Sequence, residues 1–479
     1  MPNHLLRSLP SIERLLERPV ASQLFTTLGR ERVRDLLREI TDELREQLSS
    51  AGQFPARSPQ SLTEEVERRL NVRAAQCAQP SLRRVINATG VIIHTNLGRA
   101  PLARQAVEAL SEAAAYYSNL EYDLKLGERG QRETHCQELL SRLAGSEAAV
   151  VANNNAAAVL LVLNTLALGG EVIVSRGELI EIGGSFRIPD VMEKSGAILR
   201  EVGTTNRTRI TDYERAINER TKLILRVHPS NYRIVGFTER PDVREIADLA
   251  RRRGIPSFED LGSGCLIDLA PYGVRDEPVV AESLKAGISV VSFSGDKMLG
   301  GPQAGVIAGS REIIDRVRSN PLMRALRSDK MSYAALEATL RLYERGAALR
   351  EVPVIRSIAT TREQIAERAS RFVESIAEFA DGRFKVTLED GWSVIGGGSA
   401  PEVKLPTLLV ALQDTSLTPA EFEERLRGYK TPIIARTERD RVVIDLRTVE
   451  TDEEAIILAA IAAIAQPAAQ TAASVEVST

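Results

Sequence analysis

Hydrophobic positions recur at helical spacing in the first 80 residues, where leucines are interleaved with arginines and acids. The spacing predicts helices over Ile12 to Leu16, Leu24 to Leu48 and Leu62 to Ala78, with a Gly/Pro/Ser-rich break from Ser50 to Ser61. We therefore expect residues 1–80 to form a separate helical module. Residues 1–84 hold 14 arginines against 11 acids, a local basic excess that suits either a solvated helix face or nucleic-acid contact.

Short apolar runs then alternate with helix-period segments over residues 85–330. This alternation predicts an α/β domain with a mostly parallel seven-stranded sheet covered on both faces. The last strand follows its predecessor after a turn too short for a crossover, so we expect it to run antiparallel. The predicted strands are Ala149 to Ala152, Glu171 to Ser175, Ala197 to Val202, Lys222 to Val227, Ile255 to Glu259, Ile288 to Ser292 and Ala304 to Ala308.

A smaller α/β domain is predicted within residues 331–465. It follows linking helices over Tyr333 to Tyr343 and Thr361 to Phe379. Its strands are expected near Lys385 to Leu388, Thr407 to Leu412 and Val442 to Leu446. The Ala/Ser/Thr-rich residues 466–479 lack apolar periodicity and are predicted to be a disordered tail.

Composition narrows the class of protein. The net charge is −3, so a polyanionic partner must be bound by a local patch. Cys77, Cys136 and Cys265 are scattered and form no CxxC pair, so neither a disulfide framework nor a metal site is expected. The chain shows no signal-peptide core and no apolar run of membrane-spanning length, which predicts a cytoplasmic protein without membrane contact.

One lysine is placed between a buried strand and a glycine-rich turn. The run from Val290 to Ser294 is apolar and β-branched, and Lys297 follows it, before Gly300 and Gly301. Desolvation in such a place lowers the pKa of a lysine and leaves its amine free to condense with an aldehyde such as that of pyridoxal phosphate. The alternative is a solvated lysine in a surface turn.

An aspartate ends the preceding predicted strand. Asp260 lies at the carboxyl end of the run that starts at Ile255, and a helix at about Pro278 to Ala286 separates it from the strand of Lys297. Parallel strands joined by such a crossover end at the same edge of a sheet. A carboxylate there can keep a pyridine nitrogen protonated, although Asp260 could also be a helix N-cap.

Several polar residues at the same edge are candidates for cofactor contacts. Asn153, Asn154 and Asn155 form a strand-to-helix turn that can bind a phosphate, and capping uses only one of them. Ser294 could reach the same phosphate or serve as a turn hydroxyl. Ser230 and Asn231, after His228, could contact the cofactor or the substrate, or form a plain turn.

Three longer segments resemble bacterial selenocysteine synthases, the L-seryl-tRNA(Sec) selenium transferases. The resemblance extends over nearly the whole chain. The segments are NATGVIIHTNLGRAPL at 87–102, GGSFRIP at 183–189 and SFSGDKMLGGPQ at 292–303. The resemblance implies the fold-type-I architecture of pyridoxal-phosphate enzymes, with Lys297 holding the cofactor and Asp260 facing its ring nitrogen. It also implies that Arg99, Arg324 and Arg327 line an anion pocket for the selenium donor, selenophosphate.

The implied reaction is loss of water from a tRNA-borne serine, followed by addition of selenium at the β-carbon. Lys297 would remove the Cα proton, and the amino-terminal module would bind seryl-tRNA(Sec). The resemblance further implies a homo-oligomer, a ring of dimers that forms a homodecamer, with Arg99 or Arg324 serving a neighbouring subunit. Spaced three apart, Arg324 and Arg327 are expected to share a helix face, although they could simply form an exposed basic helix end.

Two other classes of protein remain possible. One is a pyridoxal-phosphate lyase or ammonia-lyase for a small amino-acid-like substrate, in which Arg436 or Arg447 could clamp a free carboxylate. The other is a non-catalytic RNA-binding or assembly protein with a vestigial cofactor fold, which the presence of Lys297 and Asp260 disfavours. His94 could stack or donate protons but is more typical of packing. Glu178, Glu181 and Arg187 receive no role from the sequence.

Overall fold

The computed structural model describes residues 9–49, 58–183, 186–380, 382–400 and 402–466. The chain divides into two compact units, Met1–Arg84 and Val85–Thr479. The predicted disordered tail lies outside the described residues from position 467 onward. No helix among the described residues is long and apolar enough to cross a membrane.

The first unit is helical, as predicted. Its leucine, isoleucine and valine positions form a buried core that includes Leu36, Ile40 and Leu70. The single helix predicted over Leu24 to Leu48 was wrong, because Gly29 adopts φ 79° and divides it. The helices are Ile12–Leu16, Pro19–Gln23, Phe25–Leu28, Arg30–Ser49 and Pro59–Ala78.

A seven-stranded sheet organises the second unit. Six strands are parallel, and Gly305–Gly309 runs antiparallel to both of its neighbours, as its short connection predicted. The predicted α/β architecture with a mostly parallel seven-stranded sheet is thus confirmed. The spatial order of the strands is Ala148–Ala152, Gly305–Gly309, Val290–Ser294, Ser257–Gly262, Thr221–Val227, Glu171–Ser175 and Ile198–Val202.

Two apolar layers cover this sheet because successive strand residues face opposite sides. Along Val290–Ser294, Val290 belongs to one buried cluster, whereas Val291 and Phe293 belong to the other. The helices of this unit are Arg104–Ala115, Thr134–Ala144, Asn155–Ala167, Ile188–Ser195, Ile210–Ala216, Val243–Arg253, Val280–Lys285, Arg311–Ser319, Leu322–Leu326, Lys330–Glu344, Ala348–Glu351, Pro353–Ala359, Arg362–Ala377, Pro419–Arg427 and Glu454–Ala465.

A second, four-stranded antiparallel sheet carries the smaller core. Its strands lie in the order Phe384–Val394, Lys404–Asp414, Arg441–Asp445 and Arg436–Glu438. Ile86–Asn87 pairs in parallel with Ile433–Ile434, so the start of this unit packs into the same core. The remaining strand pairs are Tyr122–Asp123 with Glu128–Arg129, and Glu181–Ile182 with Phe186–Arg187.

Candidate active site

Lys297 lies in the turn that follows Val290–Ser294, the lysine strand. Ser294 is buried at the end of this strand. The backbone of the turn is fixed on both sides of the lysine, since Met298 N donates to Ser263 O at 2.9 Å and Gly300 N donates to Lys297 O at 3.0 Å. The side chain is therefore presented from a rigid segment at the carboxyl edge of the sheet.

The amine of Lys297 is enclosed, because only 6% of the residue is exposed. A Cβ placed on Gly398, where φ is +84°, would come within 2.7 Å of Lys297 Nζ. Only a glycine therefore lets the 398–400 loop lie against the amine. Burial lowers the pKa of Lys297, and the nearby carboxylate of Asp260 opposes that shift.

Asp260 lies on the neighbouring strand, Ser257–Gly262, in register with Ser292 of the lysine strand. Its Oδ1 accepts hydrogen bonds from Asn155 Nδ2 at 2.8 Å and from Ser292 Oγ at 3.4 Å. Burial raises the pKa of Asp260, whereas the Asn155 bond and the Lys297 charge oppose this shift. A buried carboxylate and a buried amine thus face the same edge of the sheet.

The residues around this pair fit pyridoxal phosphate. Asn155 Oδ1 and Ser263 Oγ are buried and have no hydrogen-bond partner among the described residues. Buried polar atoms normally have partners, so such atoms beside a reactive amine indicate a place for a bound group. Lys297 would hold the aldehyde carbon of the cofactor, and Asp260 would face the ring nitrogen.

The three asparagines have distinct contacts. Asn154 caps the helix Asn155–Ala167 by accepting from Ala157 N at 2.9 Å. Asn153 Oδ1 accepts from Asn154 Nδ2 at 3.1 Å, and Asn155 donates to Asp260. Their predicted phosphate contacts stay a prediction.

His228, Ser230 and Asn231 follow the strand Thr221–Val227. Ser230 is buried, and both its Oγ and Lys297 Nζ lie within 4 Å of the position that a Cβ on Gly262 would occupy. Asn231 is exposed and donates to Glu181 O at 2.7 Å. The structure thus brings Ser230 near the lysine, whereas the Asn231 amide binds backbone.

Arg99 lies beside the lysine turn in a rarely used backbone conformation, with φ 64°. Its Nη1 is 2.6 Å from Asp296 Oδ2, and Ala100 N donates to Asp296 O at 3.3 Å. The Arg99 charge contributes to the lowered pKa of Lys297. Arg99 therefore brings positive charge close to the reactive amine.

Arg324 and Arg327 line a cavity of about 400 Å³ whose lining does not include Lys297. The predicted shared helix face was wrong. The helix ends at Leu326, and Arg327 is extended because Asn153 N donates to Leu326 O at 2.7 Å and Ala152 bridges to Arg327. Arg129, Arg132 and Arg318 line the same cavity, together with Glu121 and Glu133.

Known proteins match the chain over nearly its whole length. The family described as L-seryl-tRNA selenium transferase matches residues 85–450, and the family described as selenocysteine synthase N terminal matches residues 6–45. The chain belongs to the L-seryl-tRNA selenium transferase family.

Individual relatives agree with this assignment. The L-seryl-tRNA(Sec) selenium transferase of Geobacter metallireducens is 47% identical, covering 96% of this chain and 99% of the relative. That of Nitratidesulfovibrio vulgaris is 49% identical, covering 96% and 98%. A solved D-glucosaminate-6-phosphate ammonia-lyase is similar in fold alone, with TM-score 0.56 and 21% identity over 80% of this chain and 96% of that chain.

As a fold-type-I member of the L-seryl-tRNA selenium transferase family, the chain uses pyridoxal phosphate. Two residues near Lys297 were missed by the sequence analysis, namely Gly398, which lies against Nζ, and Glu277, whose charge acts on the pKa of Lys297. Glu277 precedes the crossover helix, and Gly398 comes from the smaller domain, so neither belongs to a local motif that ends at Lys297. A glycine-rich run, Gly396 to Gly398, was the only visible signal.

The other candidates have structural contacts. Arg447 is buried and donates to Ser393 Oγ and to the carbonyls of Ser357, Thr360 and Pro406. Arg436 donates to the carbonyls of Thr89 and Trp392.

The four remaining candidate residues differ in their surroundings. Glu178 is buried, and burial raises its pKa to about 7. Arg187 forms an exposed ion pair with Glu181. His94 Nδ1 has no partner among the described residues.

Proposed function

We propose that this chain converts L-seryl-tRNA(Sec) to L-selenocysteinyl-tRNA(Sec), with selenophosphate as the selenium donor. The observation that supports it most is the enclosed pair of Lys297 and Asp260 in a chain of this family. Cytoplasmic location agrees with such a role in protein synthesis and is part of the proposal.

Bound pyridoxal phosphate supplies an electron sink for the charge left when the substrate Cα loses its proton. Asp260 would keep the ring nitrogen protonated. Lys297 would hold the aldehyde carbon, and its free amine would accept the substrate Cα proton at Nζ. Its low exposure favours the neutral amine that this step needs.

The arginines of the smaller domain favour an esterified substrate over a free amino acid. A free carboxylate is usually held by a two-point arginine contact. Arg447 uses its Nε, Nη1 and Nη2 on Ser393 and on three backbone carbonyls, and Arg436 is bound to two carbonyls. A small-molecule lyase is therefore the less favoured function.

Arg99, Arg324 and Arg327 are proposed to bind the selenophosphate anion, for which planar guanidinium groups are well suited. Arg324 and Arg327 line a cavity that does not include Lys297 of the same chain. This separation supports a site shared between subunits, and hence the proposed ring of dimers, a homodecamer. Asn153, Asn154, Ser294, Ser230 and Asn231 are proposed to complete the cofactor site.

Turnover of seryl-tRNA(Sec) with selenophosphate by the purified holoenzyme tests the function. Lys297→Ala should abolish product formation, whereas Lys285→Ala, on the exposed surface of the crossover helix, should not. Product formation by Lys297→Ala at the wild-type rate, or none by the wild type, would overturn the proposal.

The amino-terminal unit is proposed to bind the tRNA. It forms a compact unit of its own, Met1–Arg84, and residues 6–45 match the selenocysteine synthase N terminal family. Deletion of residues 1–84 should weaken tRNA(Sec) binding at least tenfold and leave cofactor absorbance unchanged. Unchanged tRNA affinity would refute the assignment.

A further inference from the structure

A second cavity of about 720 Å³ lies beside the lysine site. His228, Glu277 and Ala400 are among the residues that line it, whereas Lys297 and Asp260 are not. It therefore adjoins the lysine site without including Lys297 itself. Its volume lies within the roughly 300–1,000 Å³ that is typical of small-ligand pockets.

The cavity and the lysine share one wall, the 398–400 loop. Gly398 lies against Lys297 Nζ, and Ala400 lines the cavity. His228 continues the strand beside Asp260, and its backbone N donates to Asp260 O at 2.9 Å. A ligand in the cavity thus lies next to any group bound at the amine.

Glu277 carries an unused acceptor in this wall. Its side chain is 1% exposed, and Oε2 accepts from Ala400 N at 3.1 Å and lies 3.7 Å from His228 Nε2. Oε1 is buried and has no hydrogen-bond partner among the described residues. A carboxylate oxygen accepts hydrogen bonds only, so a ligand that satisfies Oε1 must bring a donor.

We propose that this cavity receives the 3′-terminal nucleoside of the aminoacyl-tRNA, and that Glu277 Oε1 accepts a hydrogen bond from the ribose hydroxyl adjacent to the ester. The inference rests on the proposed function. The seryl ester joins one ribose oxygen, which leaves the adjacent hydroxyl as a donor only a few bonds from the reacting Cα. Acidic side chains bind ribose hydroxyls in the same way in dinucleotide-binding folds.

Five arginine or lysine residues and five acids line the cavity, and some of them pair with one another, as Arg233 does with Asp276 and Glu402. Arg275 and Lys404 are exposed and form no ion pair among the described residues, so they can meet the phosphates that lead to the terminal nucleoside. Glu277 is buried deeper than either cation. The exposed cations are thus placed for a phosphate at the mouth of the cavity, and the buried carboxylate is placed for a ribose hydroxyl deeper in it.

The test measures binding of a stable mimic to the holoenzyme by calorimetry. The probe is the glycyl amide of 3′-amino-3′-deoxyadenosine, which has no β-carbon and therefore no hydroxyl to lose. It is compared with the same compound without its 2′-hydroxyl. The wild type should bind the hydroxylated compound about tenfold more tightly, as expected for a hydrogen bond to a charged acceptor.

Glu277→Gln should reduce this ratio to near one. The Gln amide oxygen can still accept from Ala400 N, so the loop stays in place, while an NH₂ group replaces the free acceptor. Glu282→Gln, an exposed change on the adjacent helix, should keep the ratio. Absorbance of bound cofactor in each variant reports whether the lysine site is intact.

The assignment would be overturned if the wild type bound both compounds equally tightly or bound neither. It would also be overturned if Glu277→Gln kept the full affinity ratio. The wild-type measurement alone can do so, and it does not depend on the folding of a variant. If seryl-tRNA(Sec) is turned over in a Lys297-dependent reaction while the ratio is one, only the nucleoside cavity is refuted. If turnover itself is absent, the proposed function fails.

Discussion

Two regions of the second unit bury polar or charged side chains, and they differ in how many of the buried polar atoms have hydrogen-bond partners. In the smaller domain, Asp445 accepts from Ser393, Thr407 and the backbone N of Arg447, while Arg447 donates to Ser393 and three carbonyls. At the sheet edge, Asn155 and Glu277 each keep a buried oxygen without a partner among the described residues.

The difference separates structural charge from functional charge. A buried ion that has all its hydrogen bonds holds a fold in one arrangement and is costly to disturb. A buried polar atom without a partner destabilises the chain, and a site keeps such an atom where a ligand supplies the missing bond.

Arg447→Ala should have the largest effect. It removes four hydrogen bonds and the positive charge that acts on buried Asp445, so the free energy of unfolding of the smaller domain should fall by about 3–5 kcal/mol. Trp392, the single tryptophan of the chain, lies in that sheet and reports its unfolding in urea. Arg371→Ala removes an exposed pair with Glu367 and should cost less than about 0.5 kcal/mol. Equal losses in both variants would contradict the contrast.

Asp260→Asn should lower turnover strongly and stability little, in contrast to Arg447→Ala. The amide matches the carboxylate in size and can still accept from Asn155, so stability should change little. Loss of the charge that faces the cofactor should lower the turnover of seryl-tRNA(Sec) on the order of 100- to 1,000-fold. Asp268→Asn, an exposed change nearby, is the control. Near-normal turnover by Asp260→Asn would remove its assigned role.

Glu178 is an intermediate case, because it is buried and accepts one bond, from Val227 N at 3.1 Å. Burial raises its pKa from 4.5 to about 7. The charges of Arg226 and Arg240 oppose this rise, whereas that of Glu259 adds to it. Between about pH 4.5 and 7, Glu178 therefore carries a proton in the folded state but not in the unfolded state. Its contribution to the free energy of unfolding is complete below pH 4.5 and is lost as the pH rises through 7.

Relative to Glu178→Gln, the free energy of unfolding of the wild type should decline by about 3 kcal/mol over that pH range. Urea denaturation of both proteins at several pH values measures the decline. Parallel pH profiles for the two proteins would show that Glu178 is not held protonated by burial.

Gly398→Ala should have the smallest effect of the four. The added Cβ would come within 2.7 Å of Lys297 Nζ, so the affinity for pyridoxal phosphate should fall about tenfold. Gly346→Ala has a similar φ of +69° but nothing within 4 Å, so it isolates backbone strain and should leave cofactor affinity unchanged. A loss of affinity in both variants would attribute the effect to strain alone.

The sequence predicted the elements whose signal is local. The lysine strand and the strand of Asp260 were recognisable from apolar runs that end in glycine, and their common edge followed from the crossover between them. Gly398 could not be found in this way, because it reaches Lys297 only through packing of the smaller domain, and Glu277 could not be found because it lies in a loop without a local motif. Arg327 was placed on a helix by spacing alone, yet pairing with Ala152 makes it extended. Gly29 divides a helix whose apolar pattern continues across it.

The pairing of Ile86–Asn87 with Ile433–Ile434 has a consequence for synthesis on the ribosome. The strand that opens the second unit must wait for a partner that is synthesised much later in the chain. Contacts between such distant segments form slowly, so the smaller core closes only after Ile433–Ile434 has been made, and products that end before it expose their apolar residues to chaperones and proteases.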